Sequence, residues 1–344
     1  MAAETFPPVV PDHRFTVIVP TRGDDALLGR LLSSLTAQTF PRDRWDLVIA
    51  FDGAEPTDEE RGSLERLRAT VVALPVRRGP GAARNEAALR ATGEFLAFTE
   101  DDCVAAPDWL EAADAHLRSE PALDVLEGAT LLPTGRPARR RRGEGATWLP
   151  TNLFVRRSLF ERLGGYCEEF FDADRGVYFR EDSDFGFTLI GAGAHVAHDA
   201  RPRVIHPLEH EGWLDPIRWA RRYEMDPLLA ARHPRAFREE IEVVQLGPFR
   251  IRRPFVRVCI AYALSLAACA AAVALGEPGV ASWFAATAIF ALLAVWSKWR
   301  FAPARLPLMP VVPLVLLLSL ARGGRRARTS GRAKDPVAGS RNLL

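Results

Sequence analysis

The chain has 344 residues, 48% of them hydrophobic, and a formal net charge of +2. That composition excludes a disordered chain, and the absence of a G-X-Y or heptad register excludes a fibrous one. Four cysteines without a CxxC pair exclude a disulfide scaffold and a zinc ribbon. The near-neutrality averages two unlike parts: residues 251–344 carry 13 basic and 2 acidic groups, or +11, and residues 1–250 carry −9.

The opening MAAETFPPVVPDHRF has no basic start followed by an apolar stretch, so no signal peptide is expected there. Residues 1–13 read as an N-terminal extension and 14–235 as the catalytic domain. Between 15 and 131 short β-rich runs alternate with helical patterns. FTVIVP (15–20) precedes an apolar-periodic stretch through Leu27, Leu28, Leu31, Leu32 and Leu35. DLVIAFDG (46–53) leads to a helix around 58–68, and TVVALPV (70–76) to one around 81–92. EFLAFTEDD (94–102) gives way to a helix opened by Pro107. This order predicts an α/β domain, a mostly parallel sheet flanked by helices and joined by right-handed crossovers. Such sheets bind ligands beyond the carboxyl ends of their strands. Polar clusters fall at three of those ends: Thr21-Arg22, Asp52-Gly53 and Glu100-Asp101-Asp102.

The stretch 77–102, RRGPGAARNEAALRATGEFLAFTEDD, carries most of the chemistry. Gly79, Pro80 and Gly81 turn the backbone tightly onto a helix whose first N–H groups face an anion. Arg84 sits near the start of that helix, where a guanidinium clamps a diphosphate. Three adjacent acids repel one another unless a cation relieves them. Mg²⁺ or Mn²⁺ bound through one or two carboxylates plus phosphate oxygens does so.

In this order the motifs resemble those of the inverting family-2 glycosyltransferases of the GT-A nucleotide-sugar-binding fold. They are Pro20-Thr21, Asp52, the run Gly79 to Asn85 (GAARN at 81–85) and the acidic turn 100–102; the resemblance covers 14–235. It implies that Asp52 contacts the nucleotide base, that Arg84 helps hold the nucleotide and that Asp101 lies near ribose and phosphates. It makes Asp102 the metal ligand and leaves the role of Glu100, a departure from the pattern, open. The segment from Thr151-Asn152 to Leu163-Gly164-Gly165-Tyr166 is similar to the family's sugar and acceptor lining. FREDSDFGFTLIGAG (179–193) looks like the family's E-D-x-D motif at a helix start. By that match Asp182 is the candidate base and Glu181 shapes its surroundings; inversion needs one carboxylate to take the acceptor proton. Gly186-Phe187-Thr188 stands where many relatives have an Arg.

Further along, Arg218-Trp219 resembles Q-x-x-R-W of processive synthases, but Asp215 replaces the Gln, which argues against a polymer-extruding enzyme. Arg218, Trp213 and Trp219 are acceptor candidates, and His206 is a candidate phosphate or metal contact. His210 and Glu211 have a loose metal-ligand look, whereas His195, His198 and His233 read as structural. The run RPARRRR (136–142) suits anionic headgroups or a lipid phosphate. No aromatic interleaving accompanies it, so no nucleic-acid partner is expected.

A basic juxtamembrane linker (236–254) leads into a membrane region, 255–320. Its runs 255–276 and 280–297 are long and apolar enough for transmembrane helices. Arg250, Arg252 and Arg253 precede the first and Lys298, Arg300 and Arg305 follow the second, which places both flanks and the catalytic domain in the cytoplasm. The third run, 306–320, carries three prolines and reads as re-entrant or interfacial, with a spanning alternative, before a basic cytoplasmic tail at 321–344. The expectation is a multi-pass inner-membrane glycosyltransferase that moves one sugar from a nucleotide-sugar donor to a lipid-linked saccharide or polyprenyl phosphate. Two alternatives are a catalytically inactive nucleotide-sugar-binding scaffold and a sugar-phosphate nucleotidyltransferase. The latter needs a Gly-rich basic loop after the first strand, which PTRGDD does not supply.

Overall fold

The structure is a computed structural model and describes residues 13–23, 25–137, 150–207, 212–299 and 302–330. Two compact units divide the chain. Met1–Arg139, Trp148–Ala173 and Thr188–Leu208 form the first; Arg140–Thr147, Asp174–Phe187 and Glu209–Leu344 form the second.

The first unit opens with β1 (His13–Thr21), α1 (Asp25–Thr36), β2 (Trp45–Asp52), α2 (Asp58–Arg66), β3 (Thr70–Leu74), α3 (Pro80–Ala88) and β4 (Gly93–Phe98). It continues through β5 (Val104–Ala105), α4 (Trp109–Ser119), β6 (Val125–Leu131), β7 (Leu153–Arg156), α5 (Arg157–Leu163) and β8 (Phe171–Asp172). After β9 (Val177–Tyr178) and α6 (Glu181–Gly191), within which the two units divide, β10 (Val196–Ile205) completes the sheet. The strand order is β3-β2-β1-β4-β7-β6-β10-β5.

Strands β3, β2, β1 and β4 run parallel, as the alternation predicts. Beyond them the sheet is mixed, because β7 lies antiparallel between β4 and β6. β1 and β2 are near-continuous apolar runs because both faces of the sheet are covered. Phe15, Trp45, Phe95 and Phe154 fill one core layer with Leu28, Leu31 and Leu35 of α1. Since β1, β2 and β4 point the same way, Thr21, Asp52 and the acids after Phe98 reach one edge.

The second unit holds α7 (Asp215–Arg222), α8 (Asp226–Arg232), α9 (Pro234–Glu240), a hairpin of β11 (Val243–Leu246) and β12 (Phe249–Arg252), then α10 (Pro254–Ala274), α11 (Pro278–Trp299) and α12 (Val312–Ser330). Among the described residues α10 and α11 are the two helices long and apolar enough to cross a membrane. Leu264, Val273, Trp283, Phe290 and Leu293 stand exposed on them. The third apolar run opens differently from a span: a 3₁₀ turn at Pro303–Leu308 precedes α12. Val312 and Leu316 of α12 pack with Ala220 and Tyr223. Gly323 lies so close to the Glu224 carbonyl that no side chain fits there. The expected boundary at 320/321 therefore falls inside one helix, which carries apolar and basic residues together.

One turn shapes the edge of the sheet. Gly79 has φ +91, and a Cβ on it would lie 2.6 Å from Phe171 Cγ. Both the left-handed backbone and the ring exclude a side chain. Gly79→Ala should lower the unfolding free energy by about 2–4 kcal/mol, from strain plus overpacking. Chemical denaturation of the full chain measures this, and an unchanged midpoint would refute the packing described.

Candidate functional site

The acidic turn after β4 is a local electrostatic problem. Glu100, Asp101 and Asp102 are all half-buried. Burial first, then the charge of Glu100, pushes Asp102 up to about 6. Asp101 is also raised, by burial, although the Thr21 hydroxyl donates to its Oδ2 at 2.6 Å. Thr21 closes β1, so this bond ties the ends of β1 and β4 together.

His206 answers the acids from just beyond β10. Its Nε2 lies 3.4 Å from Asp102 Oδ2 and 3.5 Å from Glu100 Oε2. Its Nδ1 lies 2.8 Å from the Pro207 carbonyl, which only accepts, so Nδ1 carries a proton and Nε2 faces the carboxylates. The hydrogen bond with Glu100 outweighs burial and raises the imidazole to about 9.

Once a divalent cation displaces the Nε2 proton, these donors fit it. Two neighbouring ligands on an octahedral ion with bonds of about 2.1 Å lie about 3 Å apart, close to the Asp102–His206 separation. A carbonyl that holds the far ring nitrogen is the usual support of a ligating histidine. The Cys103 sulfur also lies within 4.8 Å of ligand atoms on Glu100 and Asp102. Its thiol is fully buried and pushed well above its usual range by burial, so it stays protonated and is a poor ligand.

Asp52 and Arg84 shape the neighbouring loop and the start of α3. Asp52 Oδ1 accepts from the Arg78 N–H at 2.6 Å, and Oδ2 from the Gly79 N–H at 2.8 Å. Asp52 thus fixes the loop that starts α3. Arg84 is 1% exposed, lies 5.3 Å from the Tyr166 ring and places Nη2 3.3 Å from Glu100 Oε1. Its Nε and Nη1 are buried with no hydrogen-bond partner in the protein. Donors left in that state favour an added acceptor. Gly81 lets α3 approach Tyr166: a Cβ there would lie 3.2 Å from the Tyr166 Cβ. Pro20, opposite Ala50, is buried one residue before Thr21. Glu100, whose role the sequence leaves open, joins Arg84 to His206.

In the second unit Glu181 and Asp182 begin α6, both half-buried. Asp182 Oδ1 accepts from the Ser183 N–H at 2.6 Å. The third acid of the motif is different: Asp184 is 2% exposed and accepts from Arg232 Nε at 2.6 Å, with His233 Nε2 at 2.8 Å. His233 is structural, as expected.

The acceptor candidates scatter. Asn152 requires a correction, because its side chain is fully buried. Its Oδ1 accepts from Trp109 Nε1 at 2.8 Å, and its Nδ2 donates to the Ala129 and Pro202 carbonyls at 3.0 Å each. No polar atom remains to meet an acceptor; Asn152 joins α4 to the sheet instead. Trp213 is 52% exposed. Arg218 is exposed and paired with Asp215 at 3.3 Å. Trp219 is half-buried under the Arg222 guanidinium, 4.6 Å from its ring. His210, Glu211 and residues 138–142 of the Arg run lie outside the described residues.

Residues 16–170 match the family described as Glycosyl transferase family 2. The chain is 24% identical over 208 residues to the glycosyltransferase AglE of Haloferax volcanii, across 54% of this chain and 67% of that one. It is 26% identical over 225 residues to the pre-mycofactocin glycosyltransferase of Mycobacterium tuberculosis, across 59% of this chain but 45% of that one. Among solved structures, S. aureus TarS matches with a TM-score of 0.51 at 21% identity, over 92% of this chain and 55% of that one. A mannosyltransferase from Pyrobaculum calidifontis, in complex with GDP-Man and Mn²⁺, matches with a TM-score of 0.50 at 22% identity, over 96% and 90%. At such identities the likeness concerns the fold, and the fold is GT-A-like.

Asn152→Ala should destabilise the chain by about 2–4 kcal/mol, because it strands a buried indole N–H and two carbonyls. Folded enzyme should keep its acceptor KM. A raised KM at unchanged stability would restore Asn152 to the acceptor side.

Proposed function

We propose that this chain, a membrane protein built on a glycosyltransferase family 2 domain, transfers one sugar with inversion from a nucleotide-sugar donor to an acceptor presented at the membrane. The observation that carries the donor side is the acidic turn after β4, with His206 Nε2 facing Asp102 and Glu100 beside the buried Arg84. Asp102 and His206 would hold Mg²⁺ or Mn²⁺, which would supply neutralising charge to a leaving diphosphate. Arg84 and the amides opening α3 bind its oxygens, and Thr21 keeps Asp101 oriented toward the ribose. Asp182, with Glu181 beside it, takes the proton of the acceptor hydroxyl as that oxygen attacks the anomeric carbon. One displacement inverts the centre, so no covalent sugar–enzyme bond is required.

Two apolar helices with basic flanks support a multi-pass inner-membrane protein with a cytoplasmic catalytic domain. An acceptor at that surface is a lipid-linked saccharide or a polyprenyl phosphate. Trp213, Arg218 and Trp219 are the residues available to it.

Detergent-solubilised protein should be stabilised by one of UDP-, GDP- or dTDP-sugars with Mn²⁺ or Mg²⁺ but not with EDTA, and should release that nucleotide slowly. Asp102→Ala should lose the metal-dependent shift. Asp182→Asn should keep the shift and lose at least about 100-fold in turnover. Substantial turnover by Asp182→Asn would remove it as the base. Folded protein that a donor stabilises without nucleotide release would instead favour the inactive scaffold, and response to no donor would refute the donor reading.

A further inference from the structure

Four non-glycine residues have a positive φ among the described residues: Arg68, Arg180, Glu242 and Arg253. The last three belong to one charge cluster in the second unit. Arg180 Nε donates to Asp226 Oδ1 at 2.8 Å, with side chains 1% and 0% exposed. Asp226 Oδ2 accepts from Arg253 Nη2 at 2.7 Å. The Arg253 N–H donates to the Glu242 carbonyl at 2.6 Å. The Glu242 carboxylate accepts from the Tyr223 hydroxyl at 2.6 Å and from Lys298 Nζ at 2.9 Å. Arg253 immediately precedes α10, and Lys298 lies in the last turn of α11. Arg180 immediately precedes Glu181 and Asp182.

Stability alone is a poor reason for such a cluster. Buried ion pairs give little net stabilisation over apolar packing of the same shape, and they are most useful where they fix one arrangement. Left-handed backbone at non-glycine residues persists where the surroundings over-determine it, and such positions gather at functional sites. Arg180 combines both features one residue before the acid pair. Burial opposes its charge, yet Asp226 and then other groups, Asp182 among them, leave its pKa raised.

We propose that Arg180 is a positioning residue for Asp182, set in its left-handed conformation by a buried charge cluster anchored on the ends of α10 and α11. This rests on Asp182 being the base. The cluster decides where α6 begins and how its first carboxylates project. It also makes the apolar helices part of the catalytic geometry as well as a tether.

The test uses the full chain in detergent and reads kcat, donor KM and thermal midpoint together. Arg180→Gln should lower kcat about 100-fold, the scale of a misplaced reacting group, with donor KM within twofold. Its midpoint should also fall, because Asp226 keeps its buried charge with one partner fewer. Arg180→Gln combined with Asp226→Asn removes both charges; its midpoint should recover while kcat stays low. Arg180→Lys, which keeps the cation without the planar fork, should lie between, about tenfold below the parent. Lys298→Met should lower kcat severalfold at constant donor KM. Recovery of kcat along with the midpoint in the double variant would make Arg180 merely structural and overturn the proposal. Full kcat in Lys298→Met would overturn the anchoring on α11. Asp182→Asn runs alongside: if it stays active, the base assignment and this proposal fall together. If it is inactive while the double variant recovers kcat, this proposal alone falls.

Discussion

The three carboxylates that follow β4 repel one another, and the neighbouring residues are placed to carry that repulsion. Glu100 is the pivot. One oxygen faces the buried guanidinium of Arg84 and the other faces His206. Asp101 is held from β1 by the Thr21 hydroxyl. Asp102 is left with His206 as its charged neighbour and is the acid pushed up to about 6. Two of the acids are thus tied to other segments, Glu100 to Arg84 and Asp101 to Thr21, and the third faces His206. Without Arg84 and His206 the same sequence would be a solvated acidic loop.

Much of this was legible in the sequence, because it depends on order and local chemistry. Apolar runs alternating with helical patterns gave β1 to β4 and their shared direction, and parallel strands bring their carboxyl ends to one edge. The Gly-rich turn, Arg84 and the acid turn were visible as residue types at their places. Other features depend on contacts far apart in the chain. Asn152 resembles an acceptor residue in its motif, but its amide is consumed by Trp109 and by carbonyls of two separate segments. Nothing within a few residues of Asn152 announces those partners. The antiparallel insertion of β7 and the continuation of α12 past residue 320 are hidden for the same reason: each is set by what the segment packs against.

The two acidic motifs repay comparison. In 100–102 and in 181–184 the sequence offers three acids each, and composition does not separate the functional from the structural among them. Burial and partners do. Asp184, saturated by Arg232 and His233, fastens α6 to the end of α8, while Glu181 and Asp182 remain half-buried at the start of the helix. A carboxylate whose lone pairs are occupied by Arg232 and His233 serves poorly as a proton acceptor.

In the second unit the apolar helices are joined to the charge cluster around Arg180. A simple tether would need apolar length and basic flanks and nothing more. Here Arg253 and Lys298 serve as flanks in the sense of the positive-inside pattern, and they also reach inward to Asp226 and Glu242. The same two charges thus flank the apolar helices and close the cluster around Arg180. Because Asp226 and Glu242 are buried, neither can lose its cationic partners without a large desolvation cost. The start of α6 is consequently linked, through Arg180 and Asp226, to the charged residues that flank α10 and α11.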